Sequence, residues 1–160
     1  MNLTFRPADK DNFRVLARLT RTFTTEQRTY IADNAYSILE ALYEPDNLFA
    51  YGIYDDDVPV GFFLYGYDPD DNTWGIVRFM IGGAHQGKGY GRAAILMLLD
   101  HMQRTHGCTF IYISFVPENV IAEKLYASVG FVDTGEMDDG ETVYVYRRPL
   151  EAAAHERLAV

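Results

Sequence analysis

Glycine stands at every second position in one short segment of the chain, Gln86-Gly87-Lys88-Gly89-Tyr90-Gly91-Arg92. The residues from about 89 to 105 have the apolar spacing of an amphipathic helix, which places this segment at a helix N-terminus. Several backbone N–H groups there have no intrahelical acceptor, and the helix dipole is positive. Because glycine lets a backbone approach a ligand closely, the segment is expected to bind a diphosphate. The alternative is a tight strand-to-helix turn that uses glycine for geometry alone.

Two better-known phosphate motifs come close to this segment and do not fit. Residues 82–88 match the G-x-x-x-x-G-K of nucleoside triphosphate-binding loops, but Gly89 stands where a Ser or Thr would hold magnesium. The dinucleotide fingerprint G-x-G-x-x-G has a different glycine spacing and belongs near the first strand. Neither motif explains the segment.

A second pair of useful side chains, Asn119 and Tyr126, lies on a helix predicted over residues 118–129. Seven residues are about two helical turns, so both side chains lie on one face. The phenol of Tyr126 is a hydrogen-bond donor with an ordinary pKa of about 10, and it is the candidate proton donor. The alternative is that Tyr126 packs in the core and Asn119 caps the helix.

The elements that must position these residues alternate along the chain. Helices are predicted over residues 9–20, 35–43, 89–105 and 118–129, and strands over 3–5, 48–54, 58–67, 73–81, 109–115, 131–137 and 142–148. The strand–helix–strand unit within 73–115 predicts two parallel strands joined right-handedly. No Pro-, Gly- or Ser-rich linker interrupts the pattern. A single domain of mixed α/β (α+β) class over residues 1–150 and a short tail over 151–160 are therefore expected.

Composition and net charge limit the kinds of partner that the chain can have. The chain has 160 residues, including 12 Tyr and 10 Phe, which predict an aromatic core, and a net charge of −9. That charge disfavours nucleic acid and attracts small cations. The acidic clusters fit a polycationic substrate or are simply solvated turns; they lie at Asp55-Asp56-Asp57, at Asp68, Asp70 and Asp71, and at Asp138, Asp139 and Glu141.

Cysteine and histidine positions exclude other chemistry. A single Cys108 rules out an internal disulfide and fits a reducing compartment. The four histidines lack the spacing of metal ligands, so no metal is expected. With no secretory signal and no apolar run of membrane length, the sequence predicts a soluble, cytoplasmic protein without a membrane partner.

A family resemblance joins the two motifs. The spacing Gln86-x-x-Gly89-x-Gly91 resembles the acetyl-coenzyme A (acetyl-CoA) loop of the GNAT superfamily of N-acetyltransferases. The superfamily's second signature is resembled by Asn119, Leu125-Tyr126 and Gly130-Phe131, and the order of elements agrees from residue 3 to about 148. Within the superfamily the chain is most similar to bacterial spermine/spermidine (diamine) N-acetyltransferases, through Gln27-x-x-Tyr30-Ile31, Val60-Gly61-Phe62 and Arg78-Phe79-Met80-Ile81.

The resemblance implies a fold and an activity. The fold is a central twisted mixed sheet flanked by helices. The activity is direct transfer of acetyl from acetyl-CoA, without a metal, to a primary amine within a ternary complex. The expected amine is a polyamine or diamine such as spermidine or spermine. The alternatives are a protein N-terminal or antibiotic amine, or a non-catalytic acyl-CoA-binding regulatory module. Because such relatives often dimerise and sheet edges favour pairing, a homodimer is also expected.

The resemblance also implies roles for residues. Tyr126 faces the coenzyme sulfur as the catalytic acid, and Asn119 contacts the coenzyme. The other expected coenzyme-binding residues are Phe79, Met80 and Ile81, through strand backbone groups, and Gln86, Gly87, Lys88, Gly89, Tyr90, Gly91 and Arg92. For the side chains of Lys88 and Arg92, a solvated surface position is an equal alternative.

The general base stays unassigned. Many polyamine-acetylating relatives carry a carboxylate on the strand just before the coenzyme contacts, where this chain has Val77 and Arg78. Glu26, Asp33 or a chain of water molecules can serve instead, and the sequence does not choose among them.

Overall fold

Seven strands hydrogen-bond into one mixed sheet in the computed structural model, which describes residues 1–149. The strands are β1 (Leu3–Pro7), β2 (Leu48–Asp55), β3 (Val58–Asp68), β4 (Thr73–Ile81), β5 (Phe110–Phe115), β6 (Val132–Asp138) and β7 (Glu141–Arg147). The helices are α1 (Phe13–Arg18), α2 (Asn34–Tyr43), α3 (Tyr90–His106) and α4 (Val120–Ser128). The predicted fold class is confirmed, and the predicted tail lies outside the described residues.

The spatial order of the strands is β1-β2-β3-β4-β5-β7-β6. Strands β4 and β5 run parallel, as predicted for a strand–helix–strand unit, and the other neighbours are antiparallel. Helices cover both faces of this sheet, so β3 is buried on both sides. Its residues Phe63 and Tyr65 pack toward α3, while Phe62 and Leu64 pack toward α1 and α2. We call these the α3/α4 face and the α1/α2 face.

Strands β4 and β5 diverge soon after they meet. They pair only where Gly75 and Ile76 lie opposite residues 112 and 113. On its other side, β4 carries a β-bulge, because Tyr65 lies opposite Ile76 while Leu64 lies opposite Arg78, which leaves Val77 as the extra residue. A bulge bends the strand that contains it. The result is a gap between β4 and β5 beyond Ile76.

The first helix is shorter than the predicted range 9–20. The Asp9 carboxylate accepts hydrogen bonds from the amides of Asp11 and Asn12, at 2.8 and 3.0 Å. The Asn12 side chain in turn accepts from the Asp9 amide at 2.9 Å. Such local bonds compete with helix formation, so α1 begins only at Phe13. It continues as a 3-10 turn over Leu19–Thr22.

The longer helices follow the prediction closely. Gly107 ends α3 with a φ of 68°, and Gly130, with a φ of 104°, follows α4. In the part of the chain that the structure describes, no helix is long and apolar enough to cross a membrane. Cys108 is buried.

Candidate active site

The gap between the diverging strands is a cleft of about 310 Å³. Three groups of residues form its walls. Strand residues line its sides, α4 and its N-cap contribute Asn119, Ala122 and Tyr126, and residues 29–32 line it from the segment before α2. The two side chains predicted to share a helix face therefore point into the same cleft.

Side chains from both faces of the sheet line the cleft. Side chains alternate along a strand, and Ile113 and Phe115 belong to the core on the α3/α4 face, so Ser114 points to the α1/α2 face. Arg78 points the same way, because it lies opposite Leu64, which packs toward α1 and α2. Tyr126 comes from α4 on the other face. Side chains from opposite faces of the sheet thus meet in one cleft.

The glycine-rich segment forms the turn between the end of β4 and α3, and none of its residues lines the cleft. Gly87 and Gly89 have φ values of 71° and 86°, a left-handed conformation that favours glycine. Gly89 is the N-cap of α3 and makes no side-chain cap. Within residues 1–149, the amides of Gly87, Lys88 and Gly89 have no hydrogen-bond acceptor. Together with the first-turn amides of α3, these donors suit a diphosphate.

Two side chains of this segment hold the loop itself. The Gln86 amide donates to the Ile81 carbonyl at 2.9 Å and accepts from the Gln27 side chain at 2.9 Å. The Lys88 ammonium donates to the Ala84 carbonyl at 2.8 Å. In this conformation, both residues offer a ligand their backbone groups.

The remaining loop residues differ in their surroundings. The Tyr90 hydroxyl donates to the Asp55 carboxylate at 2.5 Å; this bond lowers the pKa of Asp55 and raises that of Tyr90. It anchors the start of α3 to the end of β2. Arg92 is exposed. A Cβ atom at Gly91 would make an ordinary 3.5 Å contact with Leu125, so packing does not require glycine there.

Asn119 caps α4, as the structural alternative for this residue predicts. Its side-chain oxygen accepts from the Ala122 amide at 3.2 Å. Its side-chain nitrogen remains as a donor on the wall of the cleft. The capping bond fixes the direction of that donor.

Tyr126 is likewise both a core residue and a cleft residue. It is 5% exposed, and its ring packs against Phe115 and Phe131 at centroid distances of 5.4 and 5.7 Å. Its hydroxyl has no hydrogen-bond partner among the described residues. Burial raises the pKa of this phenol, so it stays protonated at neutral pH.

The three strand residues predicted to contact the coenzyme lie beyond the bulge. Phe79 lines the cleft, whereas the side chains of Met80 and Ile81 are buried on opposite faces of the sheet. In the described residues, the β4 edge that faces β5 has no strand partner after Ile76. That edge leaves backbone groups turned toward the cleft.

Neither acid left open as the base lines the cleft in the described structure. Glu26 accepts from the Tyr30 hydroxyl at 2.8 Å and thereby raises the pKa of that phenol. Asp33 is the N-cap of α2, with its carboxylate 2.8 Å from the Ala35 amide. Both have structural partners.

Glu141 is a cleft residue that the sequence analysis placed only in an acidic turn. Its carboxylate accepts from the Ser114 hydroxyl at 2.5 Å. Among the described residues that line the cleft, it is the only carboxylate, and Arg78 is the only cation. No local pattern marks Glu141, because its position depends on the pairing of β7 with β5. Residues 1–149 hold no group of three or more His, Cys, Asp or Glu side chains that could bind a metal ion.

Comparison with known proteins agrees with this geometry. Residues 13–131 match the family model described as the acetyltransferase (GNAT) family. The spermine/spermidine N(1)-acetyltransferase of Bacillus subtilis (strain 168) is 39% identical over 101 residues. That match covers 59% of this chain and 66% of the relative, just under two thirds of the relative's length.

Two solved structures are similar over nine tenths or more of this chain. The spermidine N-acetyltransferase of Vibrio cholerae, in complex with CoA and spermine, has a TM-score of 0.71 over 90% of this chain and 93% of that chain, at 21% identity. A ribosomal-protein-alanine acetyltransferase from Vibrio fischeri has a TM-score of 0.73 over 93% and 97%, at 15% identity. At these identities the likeness establishes the fold. Because the family model also spans most of the sequence, the chain belongs to the acetyltransferase (GNAT) family.

Proposed function

We propose that this protein is an acetyl-CoA-dependent N-acetyltransferase whose acceptor is a polyamine or diamine such as spermidine or spermine. The observation that carries the proposal is the cleft between β4 and β5, which is lined by side chains from both faces of the sheet. Tyr126 lies on its α3/α4 side, and the glycine-rich turn follows the end of β4. Its α1/α2 side carries charged side chains.

The residues on the α3/α4 side fit the coenzyme. The amides of Gly87, Lys88 and Gly89 and the N-terminus of α3 would hold its diphosphate. The unpaired edge of β4 over residues 79–81 and the side chain of Asn119 would hold the arm that ends in the thioester. Acetyl-CoA supplies an acetyl group activated as that thioester.

Tyr126 is proposed as the donor to the departing sulfur. Its hydroxyl has no partner in the described part of the chain, and burial raises its pKa. A phenol that stays protonated offers a hydrogen bond at every pH where the enzyme works. That bond stabilises the negative charge that the sulfur gains as it leaves.

Direct transfer in a ternary complex is proposed because side chains from both faces of the sheet line the cleft. An acceptor that enters from the α1/α2 side can meet the thioester without displacing it. The single cysteine gives no support to an acyl-enzyme, because Cys108 is buried, donates to the Met102 carbonyl and has its pKa raised by burial to about 11. Such a thiol is not a ready nucleophile at neutral pH.

Polyamine specificity is supported by the similarity to the Bacillus subtilis protein and by the net charge of −9. The similarity to an acetyltransferase of a ribosomal protein keeps a protein α-amine as the second candidate. The expected homodimer and the cytoplasmic location stay predictions.

An amine panel tests the proposal. Release of free thiol from acetyl-CoA is measured with spermidine, spermine, 1,4-diaminobutane, a peptide with a free N-terminus and an aminoglycoside. Turnover that depends on the polyamines supports the proposal. Turnover with the peptide or the aminoglycoside alone makes that amine the acceptor, and acetyl-CoA binding without any turnover makes the chain a binding module. Calorimetry that detects no binding of acetyl-CoA overturns all three.

A further inference from the structure

We infer that Glu141, oriented by Ser114, binds an ammonium group of the acceptor other than the nitrogen that is acetylated. This residue would make the enzyme prefer acceptors with two or more amines over acceptors with one. The inference rests on the proposed polyamine acetyltransferase function and names the part of the site that selects the substrate.

The register of β5 and β7 places the two side chains together. Ser114 lies directly opposite Val143, so both point to the same face of the sheet. Glu141 precedes Val143 by two residues in β7 and therefore also points to that face. The 2.5 Å hydrogen bond from the Ser114 hydroxyl fixes the carboxylate on the cleft wall.

The charges in the cleft give an ammonium one favourable wall. Arg78 stands on the opposite wall, where its Nη1 donates to the Val77 carbonyl at 2.7 Å and its Nε is buried without a partner in the described residues. Glu141 attracts a cation that Arg78 repels. An ammonium in this part of the cleft is therefore held against β5 and β7.

The chemistry of the reaction decides which nitrogen Glu141 can serve. The attacking nitrogen must be neutral, whereas an alkylamine resembles Lys, with an ordinary pKa of about 10.4. A carboxylate beside an ammonium favours the charged form. If Glu141 bound the reacting nitrogen, it would therefore keep that nitrogen protonated and unable to attack. Glu141 lies on the α1/α2 face and Tyr126 comes from the α3/α4 face, so a nitrogen at Glu141 is set back from the proposed proton donor.

A pair of matched substitutions tests this assignment. Glu141→Gln removes the charge and keeps an oxygen that accepts from Ser114. Glu136→Gln makes the same change in β6, the other strand of the β6/β7 hairpin, at an exposed side chain outside the cleft. Steady-state kinetics with spermidine and with butylamine, which has a single amine, are measured for the wild type and both variants.

We expect Glu141→Gln to raise the KM for spermidine about tenfold or more, equivalent to about 1.4 kcal/mol. Its kcat/KM for butylamine should stay near that of the wild type, so the preference for the polyamine collapses. Glu136→Gln should match the wild type with both amines. Unchanged thermal unfolding and unchanged affinity for acetyl-CoA show that the fold and the coenzyme site are intact.

Three outcomes overturn the inference. If the wild type acetylates spermidine and Glu141→Gln matches Glu136→Gln, this assignment fails and the proposed function stands. The assignment also fails if spermidine and butylamine lose kcat/KM equally, because Glu141 then does not distinguish them. If the wild type binds acetyl-CoA but acetylates no polyamine, the proposed function fails and the assignment fails with it.

A second variant keeps the test valid if Glu141→Gln does not fold. Ser114→Ala retains the charge and removes the hydroxyl that orients it. A KM for spermidine raised about threefold or more, with the kcat/KM for butylamine unchanged, supports the assignment. An unchanged KM for spermidine contradicts the positioning role of Ser114 and the assignment that depends on it.

Discussion

The two ends of strand β4 differ in how completely their polar groups are bonded. At its first half, where β4 pairs with β5, Trp74 stacks on His106 with ring centroids 3.9 Å apart. Beside them, the Tyr65 hydroxyl lies 3.2 Å from Nε2 of His101 and 3.1 Å from Nε2 of His106. We call this the closed end.

At its second half, β4 leaves β5 and several polar groups around it lack partners within residues 1–149. They include the Tyr126 hydroxyl, the Nε of Arg78 and the amides of Gly87 to Gly89. We call this the open end. Strand β4 and its neighbours therefore stabilise the fold where their polar groups are hydrogen-bonded. They can bind ligands where those groups have no partner.

The largest effect is expected from removing the hydroxyl of Tyr126. Tyr126→Phe should lower kcat about 100-fold across the pH range, because the departing sulfur loses its donor. Its thermal stability should not change, since that hydroxyl has no bond to lose in the described residues. Tyr65→Phe, at the closed end, is the control and should leave kcat unaltered. A Tyr126→Phe variant with wild-type kcat at every pH would remove the proposed acid.

The next largest effect is expected on acetyl-CoA binding, when alanine replaces one or the other of the two glycines at the ends of α3. Gly89 and Gly107 both have a left-handed backbone, and neither has an atom within 3.9 Å of an added Cβ. Alanine at either position costs about 1–2 kcal/mol of backbone strain. Gly89→Ala should weaken acetyl-CoA binding about tenfold in calorimetry, whereas Gly107→Ala should lower only the Tm. Equal loss of binding in both variants would contradict the role of the open end.

A smaller effect is expected in stability at the closed end. Tyr65→Phe leaves two histidine nitrogens without their hydroxyl partner and should lower the free energy of unfolding by about 1–2 kcal/mol. Urea denaturation measures it, with Tyr146→Phe as a matched control, because no hydrogen bond of that hydroxyl is found among residues 1–149. Equal unfolding free energies for Tyr65→Phe and the control would show that the closed end is not stabilised by this network.

The smallest effect is a dependence of stability on pH. Burial lowers the pKa of both His101 and His106, so the unfolded chain binds their protons at a higher pH than the folded chain does. As the pH falls below about 6.5, the free energy of unfolding should therefore decrease. Urea denaturation at pH 7.5 and pH 5.5 checks this, and a double His101→Gln, His106→Gln variant should lose part of the difference. An identical pH dependence in that variant would assign the effect to other groups.

The parts of the site that were predictable depend on local geometry. Glycine at 87 and 89 is required by a backbone conformation of those same residues, so its spacing is visible in the sequence. The shared face of Asn119 and Tyr126 follows from helical periodicity. Each of these residues has both a structural role and a place in the cleft. Asn119 caps α4 and Tyr126 packs in the core, yet both also line the cleft.

The parts that were missed depend on pairing between distant strands. Glu141 meets Ser114 only because β7 inserts between β5 and β6 in the sheet, an order that no local pattern specifies. The shortened start of α1 was missed for a different reason, since the side chains of Asp9 and Asn12 bond to backbone groups that a periodicity argument leaves out. Local patterns in the sequence predict the helices and strands, whereas the pairing of distant strands determines which side chains meet.

Because Val77 is an extra residue, the alternation of side chains along β4 shifts by one position after it. Before it, Ile76 points to the α3/α4 face; after it, Phe79 and Ile81 point there, so even and odd positions exchange their roles. If Val77 instead took part in regular pairing, alternation from Ile76 would turn the cation of Arg78 toward the hydrocarbon interior and turn Phe79 out of it. The polarity of the α1/α2 side of the cleft thus depends on this one extra residue as much as on the identity of the residues that follow it.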